Sequence, residues 1–260
     1  MASESCGRAG RKAPARLAAL LCVLSAGGAA AGAWTQPQGA GFLSYGANYY
    51  ATDAGSYEEV ASALYAEYGA FEAVTLGGAL ETSYPVGVSS GQESDLTMSG
   101  FARFRLREGA QGDPFSAQIG VTLPLGDVVD TGQAQLDRER DIDLRLLYGC
   151  GFGTDWGDAF IDAQAGLRLR LEDSADEIRL DLTAGLRPAP GWLLMAQAFG
   201  TLGLRNADPF GDDFDVLKLA PSVGWQITED ATMVLGVERE VAGRNIDLGT
   251  RVKLSVWTTF

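Results

Sequence analysis

Residues 96–107 read LTMSGFARFRLR and alternate without a break. Leu96, Met98, Gly100, Ala102, Phe104 and Leu106 fall on one face of an extended chain, and Thr97, Ser99, Phe101, Arg103, Arg105 and Arg107 on the other. Successive side chains of a strand point to opposite faces, so this sustained period of two predicts a strand with one apolar and one charged side. Length adds a second constraint. Strands of globular sheets centre on roughly 5–6 residues, while about 9–11 are needed to cross a bilayer at a tilt.

The pattern recurs along the chain. Phe115, Ala117, Ile119, Val121 and Leu123 alternate with small or polar residues, and Ile142, Leu144, Leu146 and Tyr148 alternate with Asp141, Asp143 and Arg145. Ala159–Leu169 and Ile178–Leu186 repeat it, with Asp162, Arg168, Arg170, Arg179 and Asp181 on the polar side. No stretch keeps a helical apolar stripe, and no apolar run reaches the roughly 18 residues of a membrane helix. Strands are predicted over 40–50, 57–69, 74–82, 96–107, 115–125, 140–149, 159–171, 177–187, 192–201, 215–227, 231–239 and 246–260. A soluble sandwich would also alternate, its apolar face packed on a second sheet. The long strands, the arginines and aspartates sharing the polar face, and the even strand number favour an all-β, antiparallel, up-and-down transmembrane β-barrel of twelve strands.

Loop lengths agree with that topology. With both termini periplasmic, the outer connections 51–56, 83–95, 126–139, 172–176, 202–214 and 240–245 are longer on average than the inner ones at 70–73, 108–114, 150–158, 188–191 and 228–230, as in such barrels. Gly149-Cys150-Gly151-Phe152-Gly153 thereby reads as an inner turn. Trp34, Trp156, Trp192, Trp225 and Trp257 all fall at or near the inner ends, where an interfacial aromatic belt is expected; the phase of Trp257 points it inward.

The first 33 residues stand apart. Arg8, Arg11, Lys12 and Arg16 precede a short apolar core at Leu17–Leu24, and small residues then run to Ala31-Gly32-Ala33 before Trp34. This is the anatomy of a cleaved secretory signal, with the barrel over 34–260. Of the three cysteines only Cys150 lies beyond it, so no intrachain disulfide is available to the mature chain. The signal takes four basic residues with it and one acid, leaving the mature chain more acidic than the −14 of the whole sequence. That balance argues against nucleic acid as a partner. Glycine supplies 34 of 260 residues, about twice the ~7% that is usual, with no collagen-like period.

Catalytic readings fail on what they require. There is no histidine, which removes the commonest general base and zinc ligand. Gly87-Val88-Ser89-Ser90-Gly91 matches the G-x-S-x-G pattern, but a nucleophile elbow needs a strand-to-helix turn and a base that this chain does not supply. Asp141 and Asp143 share a strand face by default, and with no third hard ligand they read as half of a salt-bridge ladder with Arg145, Arg168 and Arg179 rather than a metal pair. No catalytic residue, metal or cofactor is expected.

Charge placement carries more. Lipid-facing Arg or Lys costs about 2–4 kcal/mol at the bilayer midplane, so the charged phase must face the lumen. Arg103, Arg105, Arg107, Arg145, Arg168, Arg170 and Arg179 become pore-lining candidates, with Asp141, Asp143, Asp162 and Asp181 among the fewer inward acids. The lumen is expected to lean cationic, with Arg103, Arg105 and Arg107 as a basic track toward the inner mouth.

The chain closes with Val252, Leu254, Val256, Thr258 and Phe260 at alternate positions. Together with Ala33-Trp34-Thr35-Gln36-Pro37, Leu64-Tyr65-Ala66-Glu67-Tyr68-Gly69 and Ala242-Gly243-Arg244-Asn245, this ending resembles transporter-like outer-membrane β-barrels of proteobacteria, in which a terminal Phe serves as the assembly signal. The resemblance implies the outer membrane of a Gram-negative bacterium, contact with its lipid and with the barrel assembly machinery, and solute passage; it supplies no catalytic residues. Two functions follow as expectations: a passive channel or transporter-like pore for small solutes, or a closed structural or surface-interaction barrel whose lumen is salt-bridged.

Overall fold

The structure, a computed structural model, describes residues 32–86, 95–109, 112–127, 140–209 and 211–260. Residues 1–31 of the predicted signal over 1–33 and the Gly87–Gly91 motif lie outside the described residues, whereas Gly32 and Ala33 are described. Twelve strands follow in order: β1 (Gly41–Thr52), β2 (Glu58–Phe71), β3 (Val74–Pro85), β4 (Asp95–Glu108), β5 (Pro114–Asp127), β6 (Asp141–Thr154), β7 (Gly157–Arg170), β8 (Glu177–Arg187), β9 (Trp192–Gly203), β10 (Asp215–Gln226), β11 (Ala231–Arg244) and β12 (Gly249–Thr259). Each pairs antiparallel with its sequence neighbours, and β1 pairs with β12 from Phe42↔Thr259 to Thr52↔Gly249, closing the ring. The predicted transmembrane barrel is therefore the observed one, and closure leaves no sheet edge.

Its radial polarity is inverted relative to a soluble domain. Leu76, Leu80, Ile119, Leu144, Leu146, Leu180 and Leu254 stand exposed on the outer face, a continuous apolar girdle that water would not tolerate and lipid would. Charged and polar side chains, Glu67, Arg103, Asp143 and Asp181 among them, are buried inside.

Several boundaries move. The predicted inner turn over 150–158 is a tight hairpin at Asp155-Trp156, and Cys150–Gly153 continue β6. Gly157 sits at φ +120°, and a β-carbon there would meet the Arg187 carbonyl at 1.9 Å, so only glycine fits the corner. β3 and β11 run on to Pro85 and Arg244, and the β2–β3 connection shrinks to Glu72-Ala73. At the other end, the segments 171–176 and 204–214 interlock: Ala175 N–H donates to Asp212 O at 2.9 Å, and Asp208 N–H to Asp173 O at 2.7 Å. Below, the end carrying Gly41 and Thr259 is the terminal end, and the opposite one the loop end.

Candidate functional site

The interior divides into two halves. In the terminal half the chain preceding β1 turns back into the lumen and crosses it. It leaves the wall beside β2, where Gly39 N–H donates to Gly69 O at 2.9 Å and Gly69 N–H to Ala40 O at 2.9 Å. Gln36 then donates its backbone N–H to Thr75 Oγ1 at 2.7 Å and its side-chain amide to Glu67 Oε2 at 2.8 Å. Arg103 reaches from β4 to the Trp34 carbonyl at 2.7 Å while pairing with Glu67 at 2.7 Å. Ala33 accepts from Ser116 Oγ at 2.6 Å and donates to Asp162 Oδ2 at 2.6 Å. Five strands thus hold one short segment, and Ala33, Thr75 and Ser116 are 0% exposed in consequence.

Around it the terminal half is filled. Phe42, Phe160, Leu193, Met195, Val234 and Trp257 form a buried apolar cluster, with Trp34 and Tyr65 packed against it. Trp34 meets Phe160 edge-on at 6.2 Å. A β-carbon on Gly149 would fall 2.6 Å from the Trp34 ring, so the inward glycine of β6 is the notch that admits the indole.

The loop half is different. A cavity of about 450 Å³ opens there, lined by Ser99, Phe101, Arg168, Arg179, Phe199 and Lys218 among others. One wall is an arginine–carboxylate ladder on β6, β7 and β8. Arg145 binds Asp143 at 2.5 Å and Asp181 at 2.6 Å; Arg168 lies 3.6 Å from Asp141 and 3.5 Å from Asp143. Arg170 bridges Asp141 at 3.1 Å and Glu177 at 3.0 Å, and Arg179 binds Glu177 at 3.0 Å. The facing wall carries Lys218 at 3.2 Å from Glu240, Lys253 on Glu238, and Arg251 at 3.5 Å from Glu59.

Of the lumen candidates on β6, β7 and β8, Asp141, Asp143, Arg145, Arg168, Arg170, Arg179 and Asp181 meet in the ladder, whereas Asp162 stands apart from it, bound to the lumen segment. The basic track on β4 does not form. Arg103 is 1% exposed and committed to Glu67 and the lumen segment. Arg105 turns to the terminal rim, donating to Glu72 O at 3.0 Å and pairing with Glu108 at 3.0 Å. A bulge between Arg105 and Arg107 sets Arg107 opposite Phe115, so Arg107 leaves the inward phase. The expected cationic lean is offset as well. Glu59, Glu177 and Glu240, near the loop-end limits of their strands, also pair with inward cations. Trp34 is a lumen residue and Trp257 is buried inside, whereas Trp156 and Trp192 are exposed at the terminal rim as a belt requires.

Outside the wall, loop-end ion pairs hold the connections. Hydrogen bonds from Arg239 hold the Asp53 carboxyl below its usual range. At Glu172 the backbone N–H and side chain of Arg140 do the same.

Solved structures of outer-membrane barrels match this closed antiparallel barrel over nearly their whole length. An outer membrane channel from Pseudomonas putida F1 is similar with a TM-score of 0.65 at 17% identity, covering 87% of this chain and 97% of that one. The KdgM porin, solved in complex with disordered oligogalacturonate, gives 0.57 at 7% identity over 84% and 99%. The β-domain of the Bordetella autotransporter BrkA gives 0.52 at 16% over 86% and 100%. At these identities the likeness establishes the fold. No protein-family model matches the chain, and no curated protein matches it.

Proposed function

We propose that the protein is an outer-membrane barrel of the channel type, a passive path for small solutes that the lumen segment closes at its periplasmic end. The short turns at the terminal end fit a periplasmic end. The carrying observation is the cavity of about 450 Å³ in the loop half, walled by charged ladders, beside a terminal half that the segment at Gly32–Gln38 crosses. A barrel serving only as a scaffold has no use for a polar vestibule. The basic residues Arg8–Arg16, the apolar core Leu17–Leu24 and the small residues after it fit an export signal. Phe260 presents an outward, 70% exposed ring beside Gly41 at the seam, where assembly machinery can read it.

Planar-bilayer conductance tests the reading. The wild type should conduct little, and deletion of residues 33–38 should raise conductance several-fold. Silence in both would favour the second reading, a closed structural barrel, which the apolar cluster around Phe42 and Trp257 supports. Balanced ladders give weak ion selectivity, since selectivity follows the charges lining the path.

A further inference from the structure

Asp162 is the exception among the buried carboxylates of the lumen. Glu67, Asp141, Asp143, Glu177, Asp181, Glu238 and Glu240 are each in ion-pair contact with an arginine or lysine. Asp162, 5% exposed, has no such contact among the described residues. Its two oxygens accept from groups without charge, the Ala33 backbone N–H at 2.6 Å and the Gln164 amide at 2.7 Å. Arg103, the nearby arginine, is in contact with Glu67 at 2.7 Å and the Trp34 carbonyl at 2.7 Å instead. An ionised carboxylate this deep needs a counter-charge.

The missing cation can come from the chain itself. Its lumen segment is the part left behind when an export signal is removed, and removal creates an α-ammonium. The sequence offers two cleavage sites of the strict Ala-x-Ala form: Ala29-Ala30-Ala31 before Gly32, and Ala31-Gly32-Ala33 before Trp34. Cutting before Trp34 would discard Ala33, whose carbonyl accepts from Ser116 Oγ at 2.6 Å, and would strand that 0% exposed hydroxyl without its partner. Cutting before Gly32 keeps both Ala33 hydrogen bonds. It also sets the new nitrogen on a carbon so near Asp162 that a β-carbon there would lie 3.5 Å from Oδ2.

We propose that the signal is removed between Ala31 and Gly32, and that the α-ammonium so created is the counter-charge of Asp162, fastening the lumen segment in place. The step is a hydrolysis: water adds across the Ala31–Gly32 peptide bond, leaving a carboxylate on Ala31 and, after protonation, an ammonium on Gly32. Before the cut there is no charge to offer, so the fastening exists only in the processed chain. The proposal rests on the export reading, and the test separates the two.

The intact mass of the folded protein from bacterial membranes should correspond to a chain beginning at Gly32. A chain beginning at Met1 would overturn the export reading itself; one beginning at Trp34, or at any other internal residue, would leave export standing and overturn this assignment. The ion pair is read separately with an amine acylating reagent at neutral pH, which favours an α-amine of pKa about 7.7–8.0 over lysines near 10.4. In the folded protein the terminus should be acylated at least tenfold more slowly than in the Asp162→Asn variant, with Asp162→Glu retaining protection and circular dichroism confirming the strands. Equal rates in wild type and Asp162→Asn would overturn the pairing.

Discussion

The two halves of the lumen use the same residue types to opposite ends. In the terminal half one ion pair, Arg103–Glu67, is nearly sealed from solvent and serves to grip a piece of backbone. In the loop half the ion pairs form extended walls, with Arg168 24% exposed and Arg179 25% exposed to the cavity. What differs is access to water. A sealed pair is costly to break because its survivor stays buried, whereas a wetted pair is screened and loses little. Charge inside a barrel is thus structural where the lumen is filled and adjustable where it is open.

Substituting one arginine in each half is the sharpest way to break this contrast. Arg103→Leu should destabilise the protein by about 3–5 kcal/mol, because Glu67 loses its partner and the Trp34 carbonyl its donor. Arg168→Leu should cost about 1 kcal/mol or less, because its partners lie 3.5–3.6 Å away and Asp141 keeps Arg170 while Asp143 keeps Arg145. Denaturant unfolding of both variants measures this, and equal losses would dissolve the distinction. Next in size, Gly149→Val should push the Trp34 ring off its seat at a cost of about 1–3 kcal/mol for overpacking. Acrylamide quenching of tryptophan emission should increase and conductance rise with it; unchanged quenching would mean that the notch does not seat the indole. A smaller change is expected from Arg145→Gln, which takes the arginine from Asp181 while Asp143 keeps Arg168. Reversal potentials under a salt gradient should move by a few millivolts toward cation preference, an estimate on the order of one charge in a screened lumen.

The smallest effect lies outside both halves. Asp53 and Glu172 have depressed folded-state pKa values, so whatever they contribute is present above their unfolded pKa and is lost as pH falls through the folded one. Carboxyl titration by NMR should give midpoints below the usual ~3.9 for Asp and ~4.3 for Glu, and both should move up in high salt. Midpoints at the ordinary values would show that the Arg239 and Arg140 contacts are not held in solution.

The wall of this molecule was legible because lipid enforces strict alternation: the phase of 96–104 or 141–148 follows from side-chain polarity alone. What was hidden breaks that rule or lies off the wall. The bulge that turns Arg107 outward is a matter of pairing with Phe115, invisible along β4 itself. Gly149–Gly153 looked like a turn because glycine marks turns, but here it also marks close approach to Trp34. A glycine on the inward phase of a strand was the available sign. The segment at 32–38 has no periodicity, and its partners Thr75, Arg103, Ser116 and Asp162 are scattered over the chain. Glu59, Glu177 and Glu240 were missed as lumen acids because they sit near strand ends, where phase is least certain.

The seam between β1 and β12 also sets an order of events. Until Phe42 meets Thr259, both strands are open edges, available to any other unpaired strand, and theirs is the longest-range pairing in the ring, the kind that forms late. The segment bearing Trp34 is tethered directly to β1, one of the two strands that zip the ring shut. It can be laid against β3, β4, β5 and β7 while the sheet is still curling, when the interior is reachable from the side. Once the ring has closed, the way in is through the terminal mouth. A cork fitted while the bottle is being blown needs no neck wide enough to admit it, so the tightness of that mouth is no measure of how readily the segment was installed.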